Sequence, residues 1–338
     1  MKERIYNYDI MRVLAFLMVI CEHSFMPSGN ANGMVLGAFT YLTNPSIGLF
    51  FVISGALLLP IKLDTKSFIC KRLSKVIYPT LIFTFIYLVL NIIVGKKENL
   101  WVCVLSIPFS AQGSGVLWFM YTITGLYLVA PIISKWLEAV SKKELEFYLG
   151  LWAITLCYPI LKVFIAVNDS STGILFNFSG FLGYFVLGYY LRKYPDSLPF
   201  GHVSILAIIC LVMPFVVMRF KQDADLYSIF GFLSIFCAVL TVFLYKLCML
   251  RTIRFKNGRG SLKNVLILTS NLSFGIYLVH IAVMRFFLWR IDFIVNINNY
   301  LLQWATVVVL TFGISWIVTY FISFLPFGDY IIGYKQKS

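Results

Sequence analysis

Four ionisable side chains stand in the first apolar stretch of the chain, Asp9, Arg12, Glu22 and His23. An imidazole titrates near neutrality and moves protons readily, while a carboxylate and a guanidinium pair or orient neighbouring groups. Each of them costs about 2.5 to 3.5 kcal/mol at the centre of a bilayer, so such groups persist mainly where they face a protein interior, a cavity or a partner. On a helix, Arg12 and His23 are eleven positions apart, about three turns plus roughly 20°, with a rise of about 16 Å. Asp9 falls within roughly 60° of that line and Glu22 within roughly 80°, so the four groups form one polar stripe. Two plainer readings stand beside the chemical one. An intramembrane histidine often only packs and hydrogen-bonds to a neighbouring helix, and Arg12 at an interface is an anchor. The shared face favours chemistry, because independent anchors have no reason to line up.

The elements that must carry this stripe follow from composition. Hydrophobic residues make up 60% of the 338 and charged residues 12%, with a mean hydropathy of +0.87, far from the roughly 25% charge of soluble domains. The fold expected is all-α, a polytopic membrane bundle of about ten transmembrane helices in one domain spanning 1–338. The first segment has no small-residue cleavage site after it and is expected to be retained. Apolar stretches of spanning length lie near 8–26, 42–61, 76–95, 115–134, 147–167, 174–191, 201–219, 226–249, 264–288 and 301–325. With the amino terminus inside, 20 of the 28 Lys and Arg fall on the cytoplasmic side, 7 fall outside and Arg12 lies within the first span. The positive-inside rule then predicts both termini in the cytoplasm. The net charge of +14 is explained by that orientation and by anionic lipid headgroups, so the bilayer is a partner and nucleic acid is not required.

Further candidate positions lie along the chain. Ser54-Gly55, Gly183 and Gly188 allow close backbone approach between helices. Arg72 and Lys75, three apart, project on one side of a helical turn and suit a single cytoplasmic anion, as does the basic run from Arg251 to Lys263; a solvated loop is the plainer reading of both. Pro79 is expected in the first turn of its helix, where a missing donor costs little. Trp118 begins a span, the usual place of an interfacial anchor. Tyr277 and His280 share a helical face, with a hydrogen bond into the bundle as the plain alternative. The polar stretch Pro27 to Gly33 suits an outer turn. Seven scattered cysteines fit neither a zinc site nor a disulfide framework, and no phosphate loop, nucleophile elbow or metal-binding histidine pair occurs, so no metal is expected.

The order of these motifs resembles the acyltransferase-3 family of bacterial membrane proteins over nearly the whole chain. The signs are Arg12 and His23 at ten-residue spacing after Asp9, Phe50-Phe51-x-x-Ser54-Gly55, the basic stretch closed by Tyr78-Pro79, and Leu117-Trp118-Phe119 with Tyr127 and Pro131. Phe185-x-x-Gly188-Tyr189 and Ser273-Phe-Gly-Ile-Tyr277-Leu-Val-His280 complete the set. Lys75, Val116 and Ala56 depart from residues common in the family. The short O-acetyltransferases, such as that of enterobacterial common antigen, are the most similar members in size and order. The resemblance implies a ten-helix enzyme of the bacterial cytoplasmic membrane. It would carry an acyl group, usually acetyl, from cytoplasmic acyl-CoA to a hydroxyl of an extracytoplasmic glycan or lipid-linked sugar. Acetyl-CoA is then the donor and a homo-oligomer is compatible. Since a hydroxyl is a poor nucleophile, a base must stand near it, and His23 is the candidate on the stripe; an acyl-histidine variant stays open. Asp9 and Arg12 are expected to pair and Glu22 to orient the imidazole. Arg72, Lys75, Ser54 and Trp118 fall to the donor side, Tyr277 and His280 to the acceptor side. The rival class is a transporter or flippase, for which a charged intramembrane stripe is equally natural.

Overall fold

The structure is a computed structural model that describes residues 4–26, 41–95, 99–111, 117–220, 226–251 and 260–336. The outer turn read at 27–33, Lys96, Lys97, Val116, Lys221 and most of the basic run after Arg251 lie outside the described residues. Among the described residues every regular element is helical. The long helices are α1 (Tyr6–His23), α2 (Pro45–Leu58), α3 (Thr65–Ile93), α4 (Trp118–Ala139) and α5 (Lys142–Leu156), then α6 (Leu182–Lys193), α7 (Phe200–Phe220), α8 (Ile235–Met249), α9 (Gly260–Ile281) and α10 (Tyr300–Ile322). Among the described residues six helical stretches are long and apolar enough to cross a membrane. The chain is a multi-pass membrane protein.

Helix starts are written in the sequence. Asp64, Ser141, Ser234 and Asn299 each accept a hydrogen bond from the backbone N–H three residues on, capping α3, α5, α8 and α10. Several boundaries differ from the expected spans. The basic segment before Tyr78 is already helical, so α3 begins at Thr65 and Pro79 sits inside it rather than in its first turn. Hydroxyl bonds from Thr80 to the Val76 carbonyl, 2.6 Å, and from Thr84 to the Thr80 carbonyl, 2.8 Å, surround the proline's missing donor. The span expected at 147–167 ends at Leu156, with a single turn at Tyr158–Leu161 beyond it. The next helix starts at Leu182, not 174, because Gly180 takes a left-handed φ of 91°. The stretch 226–249 breaks into Leu226–Ile229 and α8, with Ser234 capping the second piece.

The chain divides into two compact units, the first made of Met1–Glu22, Ala31–Pro60 and Ile132–Arg259, the second of His23–Asn30, Ile61–Pro131 and Gly260–Ser338. In the first unit, α2 and α6 pack backbone on backbone. A methyl group at Gly55 would overlap the Phe185 carbonyl, and one at Gly188 would overlap the Val52 carbonyl. Gly55 and Gly188 thus leave no side-chain layer between the two helices, as the small-residue spacing predicts, while Gly48 lies against side chains, Thr241 of α8 and Tyr184 of α6. Of α2, ten residues are buried, from Pro45 to Ala56.

In the second unit, α9 packs on α10 and α3 on the short helix Gly328–Ile332. The buried residues of α10 recur every fourth position as Gln303, Val307, Thr311, Ser315 and Thr319, so its inner stripe is mostly polar. Leu301, Leu302, Val309, Leu310 and Phe321 are exposed on it. Apolar outside and polar inside is the pattern of a helix in lipid. After Ile281, α9 passes into a π-helical segment, Ala282–Phe287, and a 3-10 turn, Leu288–Arg290.

Candidate functional site

In the second unit, the last residue of α1 meets the end of α9. The imidazoles of His23 and His280 stack with centroids 5.6 Å apart and planes inclined by 29°. His280 is completely buried, and its Nδ1 bonds to the backbone carbonyl of Tyr277. A carbonyl only accepts, so Nδ1 carries the hydrogen. In the neutral ring Nε2 then holds a lone pair, and that atom is buried without a hydrogen-bond partner among the described residues. Arg285 stands within electrostatic reach of both rings and lies 5.7 Å over the ring of Trp289.

The end of α9 is held by a residue that no motif reveals. Tyr87 of α3 is 1% exposed; its hydroxyl donates to the Leu278 carbonyl at 2.7 Å and accepts from the Ala282 N–H at 3.1 Å. Leu278 and Ala282 are four apart and are partners in an ordinary helix, so Tyr87 has entered the ladder between them. The π-helical segment starts at that point, and such segments favour functional sites. Tyr277 packs edge-on against Phe119 at 5.6 Å and lies 5.4 Å from His280. Trp118 is half-buried and edge-on to Phe119. Thus Trp118, Phe119, Tyr277, His280 and His23 form a run of ring contacts. Arg72 and Lys75 stand one turn apart on α3, Arg72 half-buried and Lys75 exposed.

The first unit holds the rest of the stripe. Asp9 is 2% exposed, and the expected Asp9–Arg12 ion pair is present, joined by a second partner that the spacing did not reveal. Arg4 forks onto both carboxylate oxygens at 2.7 and 2.8 Å, and Arg12 stands off at 3.7 Å. The bidentate geometry makes Arg4 the principal partner. Sequence reasoning missed it because it precedes the apolar run. Asn7 donates to the Cys248 and Arg251 carbonyls at 2.6 and 2.8 Å, closing the end of α8. Glu22 keeps one carboxylate oxygen buried without a partner among the described residues. Its one-residue offset from His23 places it in the other unit. Ser54 is half-buried on α2 beside the Gly55 contact. A cavity of about 660 Å³ opens where α1 and α7 begin, with Tyr8, Arg192, Tyr245 and Lys246 in its wall.

The two histidines and Tyr277 are therefore together, as their separate motifs allow, and the ring nitrogens offered there can exchange protons with a hydroxyl. A family model described as an acyltransferase domain matches residues 5–320. No curated protein and no solved structure matches the chain.

Proposed function

Because the chain belongs to the acyltransferase family and is a multi-pass membrane protein, we propose that it transfers an acyl group, acetyl above all, from cytoplasmic acyl-CoA to a hydroxyl of an extracytoplasmic glycan or lipid-linked sugar. In this reading the ten long helices all span or line the bilayer of a bacterial cytoplasmic membrane, with both termini inside. Among members of the family it works as the short O-acetyltransferases do. The transferase reading is favoured by the family over a transporter.

His23 is the base. The acceptor hydroxyl gives its proton to an imidazole nitrogen of His23, its oxygen attacks the thioester carbonyl, and the carbon–sulfur bond breaks. The leaving thiolate takes up the proton from the imidazolium, so free coenzyme A and an ester result. Arg72 and Lys75 bind donor phosphates as a forked and a point cation respectively, Ser54 and Trp118 border the donor, and Tyr277 and His280 meet the acceptor. Asp9 with Arg4 and Arg12 neutralises the entrance of α1, and Glu22 completes the polar stripe. The observation that carries the reading is the His23 imidazole stacked on a buried partner instead of standing as a lone anchor.

The test is release of free coenzyme A from acetyl-CoA by the purified protein, with membrane glycan from its host as acceptor. His23→Ala is expected to abolish release while the protein stays folded in the membrane. Full release by that variant removes His23 from the mechanism. Arg72→Ala is expected to raise the acetyl-CoA concentration needed for half-maximal rate, and an unchanged requirement moves the phosphate site elsewhere.

A further inference from the structure

We infer that His280 selects the acceptor, its Nε2 taking a hydrogen bond from a second hydroxyl adjacent to the one that is acylated, so that the acceptor is a vicinal diol. This rests on the transfer reading above. Three observations lead to it. The Tyr277 carbonyl fixes the hydrogen of the ring on Nδ1, which leaves Nε2 an acceptor and not a donor. Nε2 is buried and has no partner among the described residues, a condition that costs free energy until a donor arrives. The ring lies face to face with His23 at 5.6 Å, so the two imidazoles pair with no edge-to-edge hydrogen bond between them. One hydroxyl has one hydrogen and serves one nitrogen. Two neighbouring hydroxyls, about one hydrogen-bond length apart, serve both.

A monohydric alcohol, or a sugar lacking the neighbouring hydroxyl, leaves the buried Nε2 unpaired. Sites built to bond a particular hydroxyl reject the analogue without it far more strongly than apolar pockets reject a methylene. His280 is thus a specificity-determining residue, and the carbon–oxygen bond still forms at the hydroxyl served by His23.

The experiment uses acetyl-CoA with methyl pyranosides, their 3-deoxy analogues, which have no vicinal pair of hydroxyls, and n-propanol, reading coenzyme A release and ester formation by full-length protein in nanodiscs. Wild type is expected to favour the diols by about one to two powers of ten in kcat/KM. His280→Phe keeps a flat ring but no acceptor, and is expected to treat diol and deoxy acceptors alike. His280→Gln, which regains an acceptor oxygen, is expected to restore part of the preference. Equal rates for diol and deoxy acceptors in wild type, or a preference retained by His280→Phe, overturn the proposal. A turnover-independent arm uses ¹⁵N-histidine spectra, where His280 must show an unprotonated Nε2 that shifts on adding methyl pyranoside; a protonated Nε2 overturns it as well. Absence of coenzyme A release with every acceptor, host glycan included, fails the transfer reading itself.

Discussion

Replacing Tyr87 by Phe removes one oxygen atom and tests how the end of α9 is held. The hydroxyl makes two buried bonds, to the Leu278 carbonyl at 2.7 Å and from the Ala282 N–H at 3.1 Å. Were both groups left unpaired, the cost is about 1 to 3 kcal/mol each. They need not be, because they are four residues apart and can close on each other as an ordinary helical pair. Two bonds are then exchanged for one, and the net loss is about 0.5 to 1.5 kcal/mol, a shift of a few degrees at most in a protein of this size. Closing that pair turns the π-helical segment Ala282–Phe287 back toward α-helix and re-phases Arg285 relative to His280. The expected result is a nearly unchanged melting temperature with a large loss of coenzyme A release, measured by differential scanning fluorimetry and a thiol assay on one preparation. Full turnover in Tyr87→Phe refutes the claim that the inserted hydroxyl sets the site. A fall of more than about 10 °C refutes the claim that the ladder can reclose.

Other outcomes follow from the same contacts. Gly188→Leu should prevent stable insertion, since even a methyl there overlaps the Val52 carbonyl; Gly125, with open space around its Cβ position, should accept alanine without loss, read as the monodisperse fraction on size exclusion. Arg4→Ala should destabilise the start of α1 more than Arg12→Ala, because the forked contact to Asp9 is lost; equal melting temperatures count against it. The Asp64 carboxyl is held below the usual carboxylate range by the Ser67 N–H and hydroxyl. Its folded pKa is depressed, so the cap's contribution is present above the unfolded value and is lost as pH falls through the folded one. Protection of the amides in the first turn of α3, taken relative to their intrinsic exchange rate at each pH, should therefore fall on acidification in wild type and not in Asp64→Asn.

How much of this was legible in the chain depends on the range of the contact. The glycines that bring α2 against α6 are local signals and are found where their spacing points, as is the ion pair of Asp9 with Arg12. Tyr277 and His280 likewise share the face read for them. What escaped was the meeting of His23 with His280, because 257 positions separate them and no periodicity encodes which helix ends adjoin. Tyr87 was hidden for a related reason, being one aromatic among many in an apolar run, with a role visible only once its hydroxyl stands between the Leu278 carbonyl and the Ala282 N–H. Arg4 was hidden because it precedes the apolar run, and its fork on Asp9 adds to the ion pair with Arg12 that the three-residue spacing pointed to. The α3 start was misplaced since a basic segment and a proline read as a boundary, although a membrane helix tolerates an internal proline.

The short helices of the first unit have a consequence for the surrounding lipid. At 14 and 12 residues, α2 and α6 rise only about 21 and 18 Å, against a hydrocarbon layer of about 30 Å. Since they are locked together through their glycines, they cannot slide apart to lengthen the pair. A pair this short is matched to a thicker hydrocarbon layer only by local thinning of the lipid or by flanking residues that reach the interface.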